Sequence, residues 1–211
     1  MKRALPWLCV LAALAGLCLA FPPFHIRSLK AVRAAQTSAQ FNATDFVGQF
    51  WRDKLLPATG QAAEAAKVLE AIAVAPQKVR EQFGRTVGVS SSYFLFVRGA
   101  GRVVSADADN IGLAIKTEGP EADIIVPLGL VFGNAVRDGT GLLNSSAYPN
   151  AQEFNDISAA LNSIIETNVL PQFQQIATVG KRIQFAGCVE VGDEEQDLKP
   201  LKLVPIAVKA E

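Results

Sequence analysis

The sequence is poor in the side chains on which most nucleophilic and metal chemistry depends. Its 211 residues include one histidine, His25, and three cysteines, of which Cys9 and Cys18 lie in an apolar N-terminal stretch. Cys188 is the single cysteine of the remaining chain, so no disulfide can form there, and we interpret it as a small strand side chain. A serine–histidine–aspartate triad and a histidine-rich zinc site are excluded from the folded part. We expect no catalytic residue, no metal ion and no cofactor.

Positive charge is not concentrated anywhere along the sequence. The 20 lysines and arginines balance the 20 aspartates and glutamates, and the one dense charged run, GDEEQD at Gly192–Asp197, is acidic. No basic stretch offers itself to a phosphate backbone, so we do not expect nucleic acid as a partner. We interpret the acidic run as a solvated hairpin loop, with a calcium site as a remote second.

Motifs that bind nucleotides are absent as well. The segment GNAVRDGTG, Gly133–Gly141, contains glycines but lacks the Gly-Lys-Ser/Thr sequence of a P-loop. The stretch RGAGRVV lacks the third glycine of a dinucleotide fingerprint and leads into a strand. We interpret Gly133–Gly141 as a tight turn that holds an Arg137–Asp138 ion pair, and we favour this structural role over contact with a ligand.

The N-terminus has the features of an export signal. Lys2 and Arg3 precede an uncharged apolar run, residues 4–24, which is close to the ~20 residues that a membrane-spanning helix needs. We therefore predict that residues 1–24 are a signal or membrane anchor, with residues 4–24 in contact with the membrane. The rest of the chain is then expected outside the cytoplasm.

Three fates of this leader stay open. Cleavage is possible after Ala20, and lipidation is possible at Cys18, although Leu17 departs from the small residue that a lipobox requires. Retention as an uncleaved anchor is the alternative that we favour. The polar, alanine-rich residues 25–40 have no clear apolar stripe and are interpreted as a stalk.

A small helical subdomain is predicted for residues 41–84. Asn42 is followed three residues later by Asp45, which resembles a capping box at the start of a helix. Apolar side chains then recur at helical spacing. We predict that Trp51 is a core anchor, with ligand stacking as the less favoured role, and that Lys54 shares its side of the helix.

The hydrophobic period changes from helical to alternating in residues 85–211. Three strand patterns precede a helix predicted from Asn150, and two more follow it; the first is long and carries Gly99 and Gly101, where a strand can bend or bulge. The third, ADIIVPLGLVFG, contains Pro127, which implies an edge, a bulge or a break. This order predicts an α+β protein whose main domain is an OB-like five-stranded barrel with an inserted helix. An antiparallel α+β sandwich is the alternative.

Four segments occur in an order and spacing that resemble one bacterial family: FVGQFWRDKLLPA, YFLFVRGAGRVV, GNAVRDGTG and FNDISAALN. The chain is similar, over roughly residues 41–190, to the predicted periplasmic lipoproteins called domain of unknown function 2291. The resemblance implies a helical subdomain and an OB-like domain, a frequent association with sugar ABC importers, and no established activity. The residues that fall within or beside these segments are Trp51, Lys54, Arg137, Asp138, Asn150 and Asn162.

We expect a membrane-tethered exported protein that is not an enzyme but an accessory or ligand-binding module. Its expected partner is a sugar importer component or a small sugar. The alternative is a carboxylate-dependent periplasmic hydrolase, which needs Asp138 to meet a second acid in a cleft. An exposed Tyr93 or Phe94 favours sugar stacking, whereas burial of both favours a structural surface. The candidate contact residues are Arg137, Asp138, Asn150, Asn162, Trp51, Lys54 and Tyr93.

Overall fold

A computed structural model describes residues 41–116, 119–144, 148 and 151–211 of the chain. The predicted signal or anchor (1–24) and the predicted stalk (25–40) lie outside these residues. No helix in the described ranges is both long and apolar enough to cross a membrane. Residues Asn42–Glu211 form one compact unit, and this unit contains the described hydrophobic core.

The elements follow the predicted order of a helical region, three strands, a helix and two strands, with additional short helices and strands among them. The helices are α1 (Ala43–Phe50), α2 (Leu56–Ala58), α3 (Ala65–Val74), α4 (Val79–Phe83), α5 (Ala135–Gly139), α6 (Ala151–Ile164), α7 (Leu170–Ile176) and α8 (Glu194–Asp197). The strands are β1 (Ala63–Glu64), β2 (Gly84–Arg85), β3 (Tyr93–Ala106), β4 (Asn110–Ala114), β5 (Ile124–Pro127), β6 (Arg182–Val191), β7 (Leu201–Lys202) and β8 (Val204–Ala210). Single π-helical turns, Trp51–Leu55 and Ile165–Val169, continue α1 and α6.

Helix α1 begins where the capping pattern predicted. The Asn42 side-chain oxygen accepts hydrogen bonds from the amides of Thr44 and Asp45, and its amide group donates to the Asp45 carboxylate over 2.6 Å. These bonds satisfy amides that have no partner within the helix. The apolar side of the helix then enters the core, with Val47 fully buried and Trp51 8% exposed, which confirms Trp51 as a core anchor.

One curled sheet forms the centre of the molecule, with strand order β7-β5-β4-β3-β6-β8. The long strand β3 pairs with β6 along its first ten residues and with β4 near its end. Only Leu203 separates β7, which pairs with β5, from β8, which pairs with β6. Residues 201–210 therefore form both ends of the strand order and pair with β5 and β6. This continuous sheet agrees with the predicted OB-like architecture and not with two packed sheets.

Two local predictions about the strands have different outcomes. Strand β5 ends at Pro127. Proline has no amide hydrogen to donate to a neighbouring strand, which favours the end of a strand at this residue. The register shift of β3 lies between Val103 and Ser105, and its pairing with β6 is unbroken at Gly99 and Gly101, so a bulge at either glycine was the wrong prediction. Gly101 instead permits close packing, because a Cβ atom there would lie 2.6 Å from the Ile115 side chain.

The acidic run is not the hairpin loop that the sequence indicated. It forms the single helical turn α8, capped by Asp193, and the Asp197 carboxylate accepts the amides of Gly192 and Asp193, each over 3.0 Å. The hydrogen bond from the Asp193 amide lowers the pKa of Asp197 below its usual value. Among the described residues no group of acids is arranged to hold a metal ion.

Helices α3 and α4 pack on the same sheet, whereas α1 packs against α6. Strand β1 pairs in parallel with β3, and β2 pairs with it in the antiparallel sense. Both short strands lie in or at the end of the region predicted as a helical subdomain (41–84). The boundary with the OB-like domain (85–211) stays a prediction, but the sheet extends across it.

Candidate functional site

The segment GNAVRDGTG contains a short helix, so the predicted tight turn was wrong. Helix α5 lies between Gly133 and Gly141, whose φ angles of +84° and +70° favour glycine. Gly139 lets the helix approach the sheet, because a Cβ atom at this position would lie 3.0 Å from the Cys188 sulfur and 3.2 Å from the Phe94 Cβ. Segment Gly133–Gly141 therefore covers part of one face of β3 and β6.

Arg137 points into the protein and not towards solvent. Its guanidinium donates to both oxygens of Asp138 over 2.7 and 2.9 Å and lies 4.0 Å from the centre of the Phe154 ring. Arg137 and Asp138 are 8% and 7% exposed. The paired hydrogen bonds and the aromatic contact compensate the buried charges, so the ion pair joins α5 to α6 as a structural element.

A second acid lies near this pair. Partial burial raises the pKa of Glu190, and the negative charges of Asp138 and Asp197 raise it further. Both oxygens of Asp138 are held by Arg137, so this carboxylate has little exposed surface for chemistry. Cys188, on the same strand as Glu190, is fully buried, and its burial raises the pKa of the thiol, as expected of an inert strand cysteine.

An open groove of about 380 Å³, here called the motif groove, lies between the segment before α5 and the outer side of α6. The Asn162 side chain donates to the Gly133 carbonyl oxygen over 3.1 Å, and the Glu166 carboxylate accepts the Val131 amide over 2.7 Å. These bonds hold one wall of the groove against the other. The lining residues are Val131, Phe132, Gly133, Asn134, Asn155, Ser158, Ala159, Asn162, Ser163 and Glu166.

The motif groove combines an exposed aromatic ring with several neutral polar groups. Phe132 is 78% exposed, and the neighbouring Leu130 is similarly open to solvent. The Ser158 hydroxyl is buried and finds no hydrogen-bond partner among the described residues, which costs free energy. Amide side chains can both donate and accept hydrogen bonds. The groove can therefore contact an apolar surface and polar atoms of one ligand.

Trp51 and Lys54 do not line this groove. Trp51 belongs to the core, while Lys54 is exposed beside a second groove of about 480 Å³, whose other lining residues are Phe46, Gln49, Phe50, Asp53, Leu142 and Leu143. A row of aromatic contacts leads from there to α6: Phe46–Phe50, Phe46–Tyr148 and Tyr148–Phe154. Its last ring is the one that Arg137 covers.

Tyr93 is not the exposed sugar contact that the sequence allowed. It is 2% exposed and Phe94 is 6% exposed, because helices cover both faces of this part of β3. Burial, followed by the negative charge of Glu194, raises the pKa of Tyr93 to about 12, and the Arg80 guanidinium lies 5.6 Å from its ring centre. Burial of both aromatic residues was the outcome expected for a structural surface.

The structure thus brings together only some of the predicted contact residues. Arg137 and Asp138 pair with each other, and Asn162 lines the motif groove and binds Gly133, but neither Arg137 nor Asp138 lines that groove. Asn150 lies outside the described residues. Phe132 and Ser158 were missed. The alternating pattern of PLGLVFG resembles a strand, but Pro127 ends the strand and leaves Phe132 outside the sheet. That proline was the signal that could have identified the exposed ring.

Comparison with known proteins identifies the fold and the family. A crystal structure of an OB-fold protein from Thermotoga maritima matches with a TM-score of 0.73 and 20% sequence identity, over 82% of this chain and all of that one. No curated protein matches the chain. The model of one family matches residues 9–209. The chain belongs to this family, which is described as predicted periplasmic lipoprotein (DUF2291).

Proposed function

We propose that the protein is a non-enzymatic ligand-binding or accessory module, tethered to the cell membrane on its periplasmic face, and that it binds at the motif groove. The observation that carries this proposal is the convergence of two family segments, GNAVRDGTG and FNDISAALN, on the walls of one open groove. Binding sites commonly combine an apolar surface with a few polar groups that fix orientation.

The groove supports binding better than hydrolysis. It contains one carboxylate, Glu166, and one oxygen of that group already accepts the Val131 amide. A hydrolase with paired acids requires a second carboxylate beside the substrate. Asp138, the acid on which the hydrolase alternative depended, is buried against Arg137 and does not line the groove. The hydrolase is therefore the less favoured alternative.

A small neutral sugar suits the chemistry of the groove. Sugar hydroxyl groups both donate and accept hydrogen bonds, as do the amide side chains of Asn134, Asn155 and Asn162. The exposed ring of Phe132 offers a flat apolar surface to the C–H face of a pyranose. A link to a sugar ABC importer rests on the family resemblance alone and forms part of the proposal.

A thermal-shift screen tests the proposal. Purified residues 41–211 are heated with a panel of neutral mono- and disaccharides, and a ligand that binds the folded state raises Tm by mass action. We expect Phe132→Ala to weaken the binding of such a sugar by roughly ten-fold, about 1.4 kcal/mol. The matched control is Val74→Ala, an exposed apolar residue on α3, which should leave affinity unchanged.

The outcomes separate the two roles. If no sugar raises Tm, the sugar proposal fails, and an accessory role is tested by photo-crosslinking from position 132 in cell membranes. A crosslink to an importer component that disappears with a bulky substitution at Asn155 supports the accessory role. Sugar binding that is unchanged by Phe132→Ala contradicts the motif groove as the site.

A further inference from the structure

A third groove lies on the sheet itself. It follows the face formed by β3, β6 and β8 beside β1, has a volume of about 680 Å³, and is here called the sheet-face groove. Strand register places Arg98, Ala186 and Ala207 in one row across the sheet. The next row is Ala100, Gln184 and Lys209. Alternate residues of a strand share a face, so small side chains form the floor and longer cationic ones stand around it.

The charge of this groove is opposite to that of its surroundings. All five cations of residues 1–40 lack an acidic counterpart there, which leaves residues 41–211 with 15 cations and 20 carboxylates. In this acidic unit the sheet-face groove is lined by Arg98, Arg182 and Lys209 and by one carboxylate, Glu64, while Arg182 also pairs with Glu211. Three strands contribute these cations. A local positive potential attracts anions even when the net charge of the protein does not.

The existing ion pairs leave the cations available. Glu64 lies 3.6 Å from Arg98 and 3.5 Å from Lys67, and all three side chains are about half exposed or more. Arg182 donates to the Glu211 carboxylate over 2.7 Å, and these two side chains are 55% and 39% exposed. Such exposed pairs contribute only about 0.2–1 kcal/mol each, so an anion can displace Glu64 and Glu211 at small cost. The Arg98 Nε donates to the Ala62 carbonyl oxygen, which orients the guanidinium before a ligand arrives. Lys209 has no ion pair within the described ranges.

We propose that the sheet-face groove binds a phosphate group, held by Arg98, Arg182 and Lys209, with Gln184 contacting the attached organic part. A phosphate monoester carries close to two negative charges near neutral pH. It therefore neutralises three cations better than a ligand with one carboxylate would. Guanidinium groups match phosphate oxygens with paired hydrogen bonds. The groove is larger than phosphate alone, so it has room for a small ester or a lipid headgroup.

Single-stranded nucleic acid fits this face less well. Proteins that bind it stack bases on exposed aromatic rings. The aromatic residue that lines the groove, Phe185, is 4% exposed. The site proposed here is independent of the motif groove, so its test does not depend on the proposed sugar.

Nuclear magnetic resonance titration tests the site directly. Isotope-labelled residues 41–211, which contain the complete described core, are titrated with inorganic phosphate, glycerol 3-phosphate and uncharged glycerol. We expect both phosphate compounds to shift the amide signals of Gln184 and Lys209 with saturation, and glycerol to shift neither. Lys209→Gln should raise Kd by roughly five- to ten-fold.

Two further variants make the test specific. Lys78→Gln removes an equal charge from an exposed position outside the groove and should leave Kd unchanged. Glu64→Gln removes the carboxylate that competes for Arg98, so it should tighten binding by roughly two- to five-fold. A gain in affinity cannot result from damage to the fold.

Vesicles distinguish the source of the phosphate. Saturable binding of glycerol 3-phosphate that weakens in Lys209→Gln identifies a soluble ester. Binding only to vesicles of phosphatidylcholine mixed with phosphatidylglycerol, and not to phosphatidylcholine alone, identifies a headgroup if Lys209→Gln abolishes it. The proposal is overturned if neither probe binds, or if Lys78→Gln weakens binding as much as Lys209→Gln does.

Discussion

One face of β3 and β6 has two halves, and each contains an arginine–carboxylate pair. The pair is buried in one half and exposed to solvent in the other. In the covered half, helix α5 lies over Phe94 and Cys188, and its Arg137 is buried with Asp138 at 2.7 Å. In the open half, Arg98 stands in solvent with Glu64 at 3.6 Å. Identical chemical groups therefore form a structural link in one half and an exchangeable surface pair in the other. Burial, and not residue type, makes the difference.

Arg137→Ala should have the largest effect of four changes that test this comparison. The substitution leaves the Asp138 charge buried without its partner and removes the cation from the Phe154 ring. We expect a loss of about 3–5 kcal/mol in the free energy of unfolding, measured by urea denaturation at neutral pH. The double variant Arg137→Met/Asp138→Leu should recover much of this loss. A loss below about 1 kcal/mol for Arg137→Ala would show that the pair is not buried in solution.

Gly139→Ala tests how tightly the covered half is packed. The added Cβ would lie 3.0 Å from the Cys188 sulfur and 3.2 Å from Phe94, so α5 must move away from the sheet. We expect a loss of about 1–3 kcal/mol and faster reaction of the buried Cys188 thiol with iodoacetamide. Gly60→Ala is the matched control, because nothing lies within 4 Å of its added Cβ. Equal stability of both variants contradicts close packing of α5.

Arg98→Gln tests the open half and should barely change stability. Its ion pair is exposed, and we expect a loss of less than about 0.5 kcal/mol in the same denaturation measurement. The same substitution should weaken phosphate binding. Arg98→Gln should therefore lower the affinity for phosphate while leaving the free energy of unfolding nearly unchanged. A stability loss comparable to that of Arg137→Ala would mean that the halves do not differ as described.

Glu190→Gln should have the smallest effect, and its sign is opposite. Burial and the charges of Asp138 and Asp197 raise the pKa of Glu190 in the folded protein, so its charged form destabilises the fold above that pKa. The variant should therefore have a slightly higher Tm than the wild type at pH 7. This advantage should vanish once the pH falls below the ordinary glutamate pKa, when both states are protonated. A lower Tm at pH 7 contradicts the assignment.

Features that depend on local patterns were predicted from the sequence. The cap at Asn42, the buried side of α1 and the order of strands and helix all follow from neighbouring residues. Local preference and tertiary packing agree at these places, which is the condition under which sequence patterns are reliable. The OB-like architecture followed from that order.

Features that depend on packing between distant segments were not predicted. Helix α5 is five residues long, too short to be stable alone, and its glycine-bracketed sequence resembles a turn. Alternation in β3 indicated two faces but not that helices cover both, so the burial of Tyr93 was missed. The cations of the sheet-face groove come from β3, β6 and β8, so a search for a basic stretch along the chain could not find them.

The double pairing of residues 201–210 has a consequence for the order of folding. This segment follows every other strand in the chain, yet it hydrogen-bonds to β5 through β7 and to β6 through β8. Its pairs with β5, Ile124 with Leu201 and Ile125 with Lys202, are 77 residues apart in sequence, and contacts of long range slow folding. During synthesis from the N-terminus, the sheet cannot be completed until residues 201–210 have been made. Until then both edges of the sheet stay unpaired and need protection from aggregation.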